Sequence, residues 1–469
     1  MRYSQQSLKN LIFIFLTFFL QCQDRAESVF KDSYSSSSLP SPCIAGGVSH
    51  NIETLKKELD LSKEMGIKIL RRDFLWDQIE PQIGVTSPTY VEIYRNFVKE
   101  AYGRGMSIIA IIAYSNPLAS SAGKKCLEQG EKSSDLTAGC ISYPPDNPEV
   151  FGDYSAKVAE LFPEIQLFEI WNEPNLTFRF FRSDERKYYE MLKSAYLKIN
   201  AKRRSMGSER KPLISFGGLA MAYLPTARGA FVRWDEFLEN VLSVTKSERY
   251  FDAMSFHPYI SPPPLGYPPS LPPEEEKKTL ASLENMTKSL MDLLSFYGIK
   301  VPLWITEIGW PTVSVTEDNQ RDWLVRSYLL SAVLGIDVVC FYTFSDSSFE
   351  ASITQEKYFG VVRSEEEGFS KKKSFFGIKI MNSILDGKKY DGSIKFKMYP
   401  DVYSLSFSGK NEKVIVFWVT EEKGENEILF DVERDAKIVF LNGEELQVKR
   451  GVQRLKITPS PLFLVLSYQ

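Results

Sequence analysis

The chain has 469 residues, more than the roughly 100 to 200 of one ordinary domain and enough for a large barrel with a small module appended. A composition that is 43% hydrophobic and 25% charged excludes disorder over most of the chain, and a formal net charge of −3 gives no global electrostatic reason to seek nucleic acid or an anionic surface as partner. There is no P-loop, Gly-x-Gly-x-x-Gly or Gly-x-Ser-x-Gly signature, and His50 and His257 with no Cys-x-x-Cys pair argue against a zinc site.

At the amino terminus, Arg2 and Lys9 precede an apolar run from Leu11 to Leu20 broken only by Thr17, so residues 1–21 have the layout of a secretory signal. The run is shorter than the about 20 residues that span a bilayer. Phe19-Leu20-Gln21-Cys22 resembles the lipobox of bacterial lipoproteins, although Gln21 stands where a small residue is usual. That resemblance implies an exported protein held to the membrane by a lipid on Cys22; without lipidation the segment implies plain secretion. Residues 22–42, with the serine-rich stretch Ser33 to Ser38, have the composition of a flexible tether.

From Cys43 onward, short apolar runs alternate with longer segments of helical period, which argues for βα units and a parallel sheet. The predicted strands are Cys43–Val48, Ile67–Asp73, Ser107–Ala113, Ile165–Trp171, Leu213–Gly217, Phe251–His257, Val301–Thr306 and Asp337–Phe344. Ile52, Leu55, Leu59 and Met65 space one apolar helix face, and Trp323, Leu324, Tyr328 and Val333 another. Gly66, Gly105, Gly298 and Gly335 each stand between a helical stretch and the next strand, where a C-cap glycine belongs. Eight such repeats predict a closed (β/α)8 barrel of the TIM type over residues 43–388. Cys126 and Cys140 flank a polar loop and are predicted to form a disulfide, which export permits; Cys340, in the apolar run Val338 to Phe341, reads as a buried thiol. The runs Glu274-Glu275-Glu276 and Lys371-Lys372-Lys373 read as solvated faces, and Ser261 to Pro273 as a stiff proline-rich loop after strand six.

A last helix is predicted from Ser374 to Leu385. Beyond it come short alternating runs at Tyr403–Phe407, Val414–Val419, Glu427–Phe430, Lys437–Leu441 and Leu462–Leu466, separated by turns such as Asn442-Gly443. Residues 389–469 therefore read as a small antiparallel β-sandwich.

Two glutamates stand at predicted strand ends. One is in Phe168-Glu169-Ile170-Trp171-Asn172-Glu173-Pro174, ending strand four; the other is in Trp304-Ile305-Thr306-Glu307-Ile308-Gly309-Trp310, ending strand seven. Both should project from the carboxyl-terminal face of the barrel, where catalysis occurs in this fold. Glycosidic bond cleavage needs such a pair, one carboxylic acid to protonate the leaving oxygen and one carboxylate across the anomeric carbon. Here the sequence resembles the clan A glycoside hydrolases over about residues 43–386, and the trailing β module is similar to that of family 39 and related members. The resemblance implies Glu173 as general acid/base and Glu307 as nucleophile. It also implies that Arg71 supports the nucleophile; Arg71 shares strand parity with Ile67 and Ile69, so Arg72 points the other way. Asn172 would bond a sugar 2-hydroxyl, while His257 and Tyr259 line the site, the tyrosine touching the nucleophile. Trp76, Trp310, Tyr114, Tyr342 and Phe344 are candidate sugar-stacking platforms, although aromatics at 13% of the chain serve a core as readily. Where the family often has tryptophan on strand eight, this chain reads Phe341-Tyr342-Thr343-Phe344.

The expectation is a retaining glycoside hydrolase that cleaves β-linked glycosides, oligosaccharides or polysaccharides through a covalent glycosyl-enzyme, with no metal or cofactor. The alternatives are a transglycosidase, in which a sugar accepts the glycosyl group, and a catalytically silent glycan-binding lipoprotein. The export reading has its own test. Mature protein should begin at Cys22 and partition into detergent, and Cys22→Ala should leave it soluble or unprocessed; a water-soluble mature chain beginning elsewhere would rule out the lipid anchor.

Overall fold

After a short strand, β1 (Glu27–Phe30), eight parallel strands follow one another around a closed barrel in sequence order. They are β2 (Ser41–Ala45), β3 (Ile69–Phe74), β4 (Ser107–Ile112), β5 (Leu167–Asn172), β6 (Leu213–Ala220), β7 (Ala253–His257), β8 (Leu303–Ile308) and β9 (Val338–Phe341). This computed structural model describes residues 27–30, 38–131, 139–177, 179–221, 233–244, 248–260, 272–274, 282–347 and 354–468. The export segment, Cys22, Glu275-Glu276 and most of the proline-rich loop lie outside the described residues. Within residues 22–42, expected as a tether, Glu27–Phe30 forms a strand and Ser41 already belongs to the barrel.

The barrel strands are apolar because both faces are covered, the interior by one another and the outside by helices. Cys43, Ile69, Ile109, Ala253, Trp304, Val338 and Cys340, with Leu167 against them, pack as one interior cluster. Side chains alternate faces along a strand. Two residues further along, the same inward face therefore carries Arg71 above Ile69, Glu169 above Leu167, Ser255 above Ala253 and Thr306 above Trp304. A hydrophobic plug thus gives way to a polar layer at the carboxyl-terminal end, and the local sequence alternation alone produces that change.

Helices start and stop where their caps put them. Asn51 caps Ile52–Glu64, its side chain accepting from the amides of Glu53 and Thr54, and Ser87 caps Pro88–Gly103 with proline at the first helical position. The four predicted C-cap glycines have φ of 78°, 77°, 67° and 70°, the left-handed region that favours glycine. Leu55, Leu59 and Met65 are buried as expected, but Ile52, in the first turn, is 39% exposed. No described helix is long and apolar enough to cross a membrane.

Two readings of charge runs are corrected. Glu274 is buried and takes a bidentate pair from the fully buried Arg326, one arm of it Arg326 Nε to Glu274 Oε1 at 2.8 Å. Lys372 is likewise buried and donates to Asp346 at 2.7 Å. In each run, one described residue turns inward to a countercharge.

The cysteines carry a second correction. Cys126 and Cys140 are bonded as expected, but Cys340 is no free thiol: it is bonded to Cys43. Closure explains the pairing. The register of β2 on β9 sets Cys43 opposite Cys340, with both side chains fully buried in the barrel interior and Cα atoms 4.0 Å apart.

The remaining strands, β10 (Lys389–Lys395), β11 (Tyr403–Ser408), β12 (Glu412–Trp418), β13 (Asn426–Val432), β14 (Ala436–Phe440), β15 (Glu445–Val448), β16 (Gly451–Ile457) and β17 (Leu462–Ser467), belong to an antiparallel unit. One sheet has the order β1-β10-β11-β12-β17-β14-β15 and the other is the pair β13-β16. Phe417, Ile438 and Leu464 from the first face Ile428, Val432, Leu455 and Ile457 from the second in one core. β10, β15 and β16 were not predicted.

The two disulfides differ in what they restrain: 14 residues of separation for Cys126–Cys140 and 297 for Cys43–Cys340. Non-reducing peptide maps should recover both linked pairs. On the chain-entropy view the shorter bridge contributes about 3 kcal/mol and the longer one more. Cys43→Ala/Cys340→Ala should therefore lower the melting temperature further than Cys126→Ala/Cys140→Ala; the reverse order would mean that closure of the barrel does not depend on its seam bridge.

Candidate active site

Glu307 lies on β8 and Glu173 one residue past the end of β5. The chain leaves strand geometry between them and the loop: Trp171 and Glu173 have φ of 71° and 45°, left-handed values that cost a non-glycine residue about 1 to 3 kcal/mol. The amide of Glu173 donates to the carbonyl of Gly218 at 3.0 Å, which holds the turn in place. One oxygen of each glutamate and a ring nitrogen of His257 all lie within 4.8 Å of one another.

The two carboxylates have different partners. Glu307 Oε1 accepts from Arg71 Nη1 at 2.7 Å, and Oε2 accepts from the Tyr259 hydroxyl at 2.7 Å. Glu173 Oε1 lies 2.9 Å from His257 Nδ1, and His257 Nε2 lies 3.0 Å from the Thr306 hydroxyl. Gly218 makes room for that ring: a Cβ there would fall 2.2 Å from His257 Nε2. Burial alone would raise the pKa of Glu307, but the charges of His257 and Arg71 and the hydrogen bonds from Tyr259 and Arg71 outweigh it and hold the group below the usual carboxylate range. Although Glu173, His257 and Glu307 have the spacing of a metal-ligand set, both Glu307 oxygens are already used, and a guanidinium at one of them disfavours a second cation there.

Arg71 is 3% exposed and joins the layer together. Besides Glu307 it donates from Nε to Glu169 Oε1 at 3.2 Å and from Nη2 to Asn172 Oδ1 at 2.8 Å. Asn172 in turn donates to the Tyr114 hydroxyl at 3.1 Å. Burial opposes the charge on Arg71, yet Glu169 and Glu307 together raise its pKa above the ordinary value. Arg72 points outward as expected, donating to the carbonyl of Ile44, with the charges of Glu58 and Asp73 partly offsetting its burial.

These groups open into a cavity of about 380 Å³ lined by Arg71, Asn172, Glu173, Glu307, Tyr259, Tyr114 and Tyr342, among others. That size is within the usual range for small-molecule sites. Tyr342 meets Tyr259 edge to face at 6.3 Å and Phe359 at 5.2 Å. His257 lies fully buried behind Glu173. The structure does not bring Trp76, Trp310 or Phe344 into the cavity. Trp76 is fully buried and stacked on Tyr154 at 5.2 Å, Trp310 is fully buried against Trp323 at 5.6 Å, and Phe344 packs on Phe369 at 5.7 Å. All three are core residues.

Several groups at the site were missed. Glu169 is fully buried beneath Arg71, with Oε2 lacking any partner; its place in the Phe168 to Glu173 segment, on the inward face with Leu167, was a readable signal. Asp73, two residues after Arg71 on the same face, lines the cavity, and burial pushes its carboxyl up to about 6. At the mouth, Arg179 donates to Glu356 at 3.2 Å and sits 4.5 Å over the ring of Phe180. Arg179 and Phe180 come from a turn and Glu356 from a short 3₁₀ helix, where no period marks them.

No protein-family profile matches the chain, and no curated protein matches its sequence. Solved structures do match its fold. A family 39 glycoside hydrolase from the gut symbiont Bacteroides cellulosilyticus WH2 superposes with a TM-score of 0.69 at 20% identity, over 92% of this chain and 81% of that one. A monomeric β-xylosidase from Caulobacter crescentus CB15 gives 0.62 at 13%, over 93% and 98%. A glycoside hydrolase family 30 subfamily 8 xylanase from Clostridium acetobutylicum gives 0.59 at 12%, over 93% and 98%. At these identities the likeness establishes a shared architecture.

Replacing Arg71 tests the electrostatics. Arg71→Met leaves Glu169 and Glu307 buried without their common cation, a loss of about 3 to 5 kcal/mol for breaking a buried pair. The pH dependence should also weaken at Glu307. In the wild type its lowered pKa adds stability above the ordinary carboxylate range, lost as pH falls through the lower folded value. In the variant the charge and hydrogen bond of Arg71 are gone while His257 and Tyr259 remain, so the folded pKa should rise and the stability this group adds above the carboxylate range should shrink. Denaturation measured across acid pH, with a ¹³C titration of Glu307, would show it; an unchanged Glu307 midpoint would contradict this account.

Proposed function

We propose that the protein is a retaining glycoside hydrolase acting on β-linked glycosides, with Glu307 as nucleophile and Glu173 as general acid/base. The observation that carries this reading is the pair of carboxylates with oxygens within 4.8 Å and with different partners. Retaining enzymes hold their two carboxyl groups about 5 to 5.5 Å apart, whereas inverting ones need about 6.5 to 9.5 Å to admit a water. The shared architecture of glycoside hydrolases supports the same class.

In the first step, Glu307, kept ionised by Arg71 and Tyr259, attacks the anomeric carbon while Glu173 transfers its proton to the departing glycosidic oxygen. The C–O bond to the leaving group breaks as the ester bond to Glu307 forms. In the second, Glu173, now a carboxylate, takes a proton from a water that attacks the same carbon from the vacated side, releasing Glu307 and restoring the acid. Asn172, oriented by Arg71 and Tyr114, offers its amide to the sugar 2-hydroxyl, and Tyr114 and Tyr342 supply aromatic faces. Two disulfides support the export reading, with Cys22 as the lipid-bearing residue of the mature chain.

Aryl glycosides separate the roles. Glu307→Ala should lose turnover with every leaving group and form no covalent adduct with a 2-deoxy-2-fluoro glycoside. Glu173→Ala should keep the first step for a good leaving group such as dinitrophenolate, and azide should raise its turnover and appear in the product. Product released with inverted configuration would overturn the mechanism, and a sugar acceptor outcompeting water would make the protein a transglycosidase.

A further inference from the structure

Resting on that reading of the pocket, we propose that Asp73 is a specificity-determining ligand that accepts hydrogen bonds from hydroxyls of the innermost sugar and restricts the site to neutral glycosides.

The argument begins with hydrogen-bonding capacity. Most polar groups on the cavity floor are already engaged inside the protein: Arg71 with three acceptors, Glu307 with two donors, and Asn172 through its oxygen and one of its two amide hydrogens. Asp73 lines the same cavity, and among the described residues no group donates to its carboxylate. A carboxylate offers about four acceptor sites. Asp73 is half-buried, so water can serve those sites in the empty cavity, and a sugar that displaces the water must bring donors of its own. A hydroxyl pair on a sugar ring supplies two donors at the spacing of two carboxylate oxygens.

Position adds to this. Asp73 follows Arg71 by two residues on β3 and so shares its inward face, one step nearer the mouth. The neighbouring wall, just past β2, is Gly46-Gly47, and a Cβ on Gly47 would meet nothing within 4 Å. Gly47 thus adds no side chain to the cavity that Asp73 lines. The Tyr114 hydroxyl accepts from Asn172 and keeps its own hydrogen to donate.

Charge then decides the class of sugar. The cavity is lined by Asp73, Glu173, Glu307 and Glu356 against Arg71 and Arg179. Both arginines already donate to carboxylates. A uronic acid, or a sulfated or phosphorylated sugar, would bring another negative charge into a pocket whose cations are committed, whereas a neutral sugar brings only hydroxyl donors. Burial pushes the Asp73 carboxyl up to about 6, against the charge of Arg71 and with the help of the carboxylates Glu307 and Glu169.

The test is a double-mutant cycle between protein and substrate. The neutral aryl glycoside cleaved best and its monodeoxy analogues are assayed on wild type, Asp73→Ala and Asp73→Asn, with melting curves confirming that the variants fold. Asp73→Ala should lower kcat/KM about 10- to 100-fold on the parent sugar, the worth of a hydrogen bond to a charged group. Deleting the hydroxyl that Asp73 holds should cost wild type a similar factor and Asp73→Ala less than about threefold. The matched aryl uronide should be a poor substrate for wild type and gain on Asp73→Asn. Should every deoxy penalty multiply in full with that of Asp73→Ala, Asp73 does not touch the sugar, and the inference fails while the glycosidase reading stands; a uronide cleaved as fast as the neutral glycoside overturns the charge argument. If wild type cleaves no glycoside, calorimetry with the methyl glycosides of the same panel runs the same cycle. Binding that depends on Asp73 and on one hydroxyl would then preserve the inference without catalysis, and no binding would sink both.

Discussion

The site depends on one buried cation. Arg71 sits where the hydrophobic interior of the barrel gives way to its polar end, and its guanidinium is shared among Glu169, Glu307 and Asn172. A desolvated charge of this kind is costly unless its geometry is fully used, and it contributes little to stability compared with a well-packed apolar group of the same volume. What it supplies instead is constraint. Three side chains from β5 and β8 are referred to one planar donor on β3, so the nucleophile candidate and the amide next to the acid candidate are positioned by the same group. Moving any one of them breaks a hydrogen bond at the others.

That arrangement presupposes the closed barrel. β3, β5 and β8 are not neighbours along the sheet, and only closure brings their inward faces to a common axis. The seam between β2 and β9 is where closure is completed, and there the chain has a covalent bond, Cys43 to Cys340, within the hydrophobic plug beneath Arg71. The site's accuracy therefore rests on a layer that takes no part in its chemistry. Above it, backbone strain at Trp171 and Glu173 is tolerated because the Gly218 carbonyl, the Trp171 indole bonded to the Phe180 carbonyl at 3.1 Å, and the surrounding aromatic contacts over-determine the turn.

How far the sequence reveals this follows from which interactions are local. All eight barrel strands, the C-cap glycines and the two strand-end glutamates were legible, because period and turn chemistry are written in neighbouring residues. Arg71 was legible through the family resemblance, with parity to Ile67 and Ile69 giving its face. The same logic reached neither Glu169 nor Asp73, which lie on inward faces already identified, since charged residues on a strand were read by motif rather than by face. Trp76 and Trp310 were misassigned because an aromatic beside a catalytic motif does not disclose its depth; Tyr154 and Trp323, which bury them, are distant in sequence or on another element. Cys340 was read from its apolar run, yet a barrel of eight strands in order already makes the first and last neighbours, and Cys43 is on the first. In the second unit, β16 escaped because Arg454 and Lys456 alternate outward between Leu455 and Ile457, and its partner β13 covers only one side of it.

Histidine 257 carries the last step of the argument. Its two nitrogens reach Glu173 and the Thr306 hydroxyl, and a hydroxyl can either donate or accept. The ring is therefore not locked in one tautomer by its far side. With Thr306 accepting, Nε2 carries a proton, and Nδ1 either receives a hydrogen bond from a protonated Glu173 or, in the charged ring that lowers Glu307, donates to the carboxylate; with Thr306 donating, Nδ1 alone carries the proton and supports Glu173 as a carboxylate. Glu173 must be both in turn if it first gives a proton and then takes one. A lysine in the same place would favour the carboxylate throughout, and an apolar residue would favour the acid throughout. Gly218, whose missing side chain leaves room for the ring, and Thr306, whose hydroxyl can reverse its role, together give the acid/base candidate a neighbour able to follow it through both states.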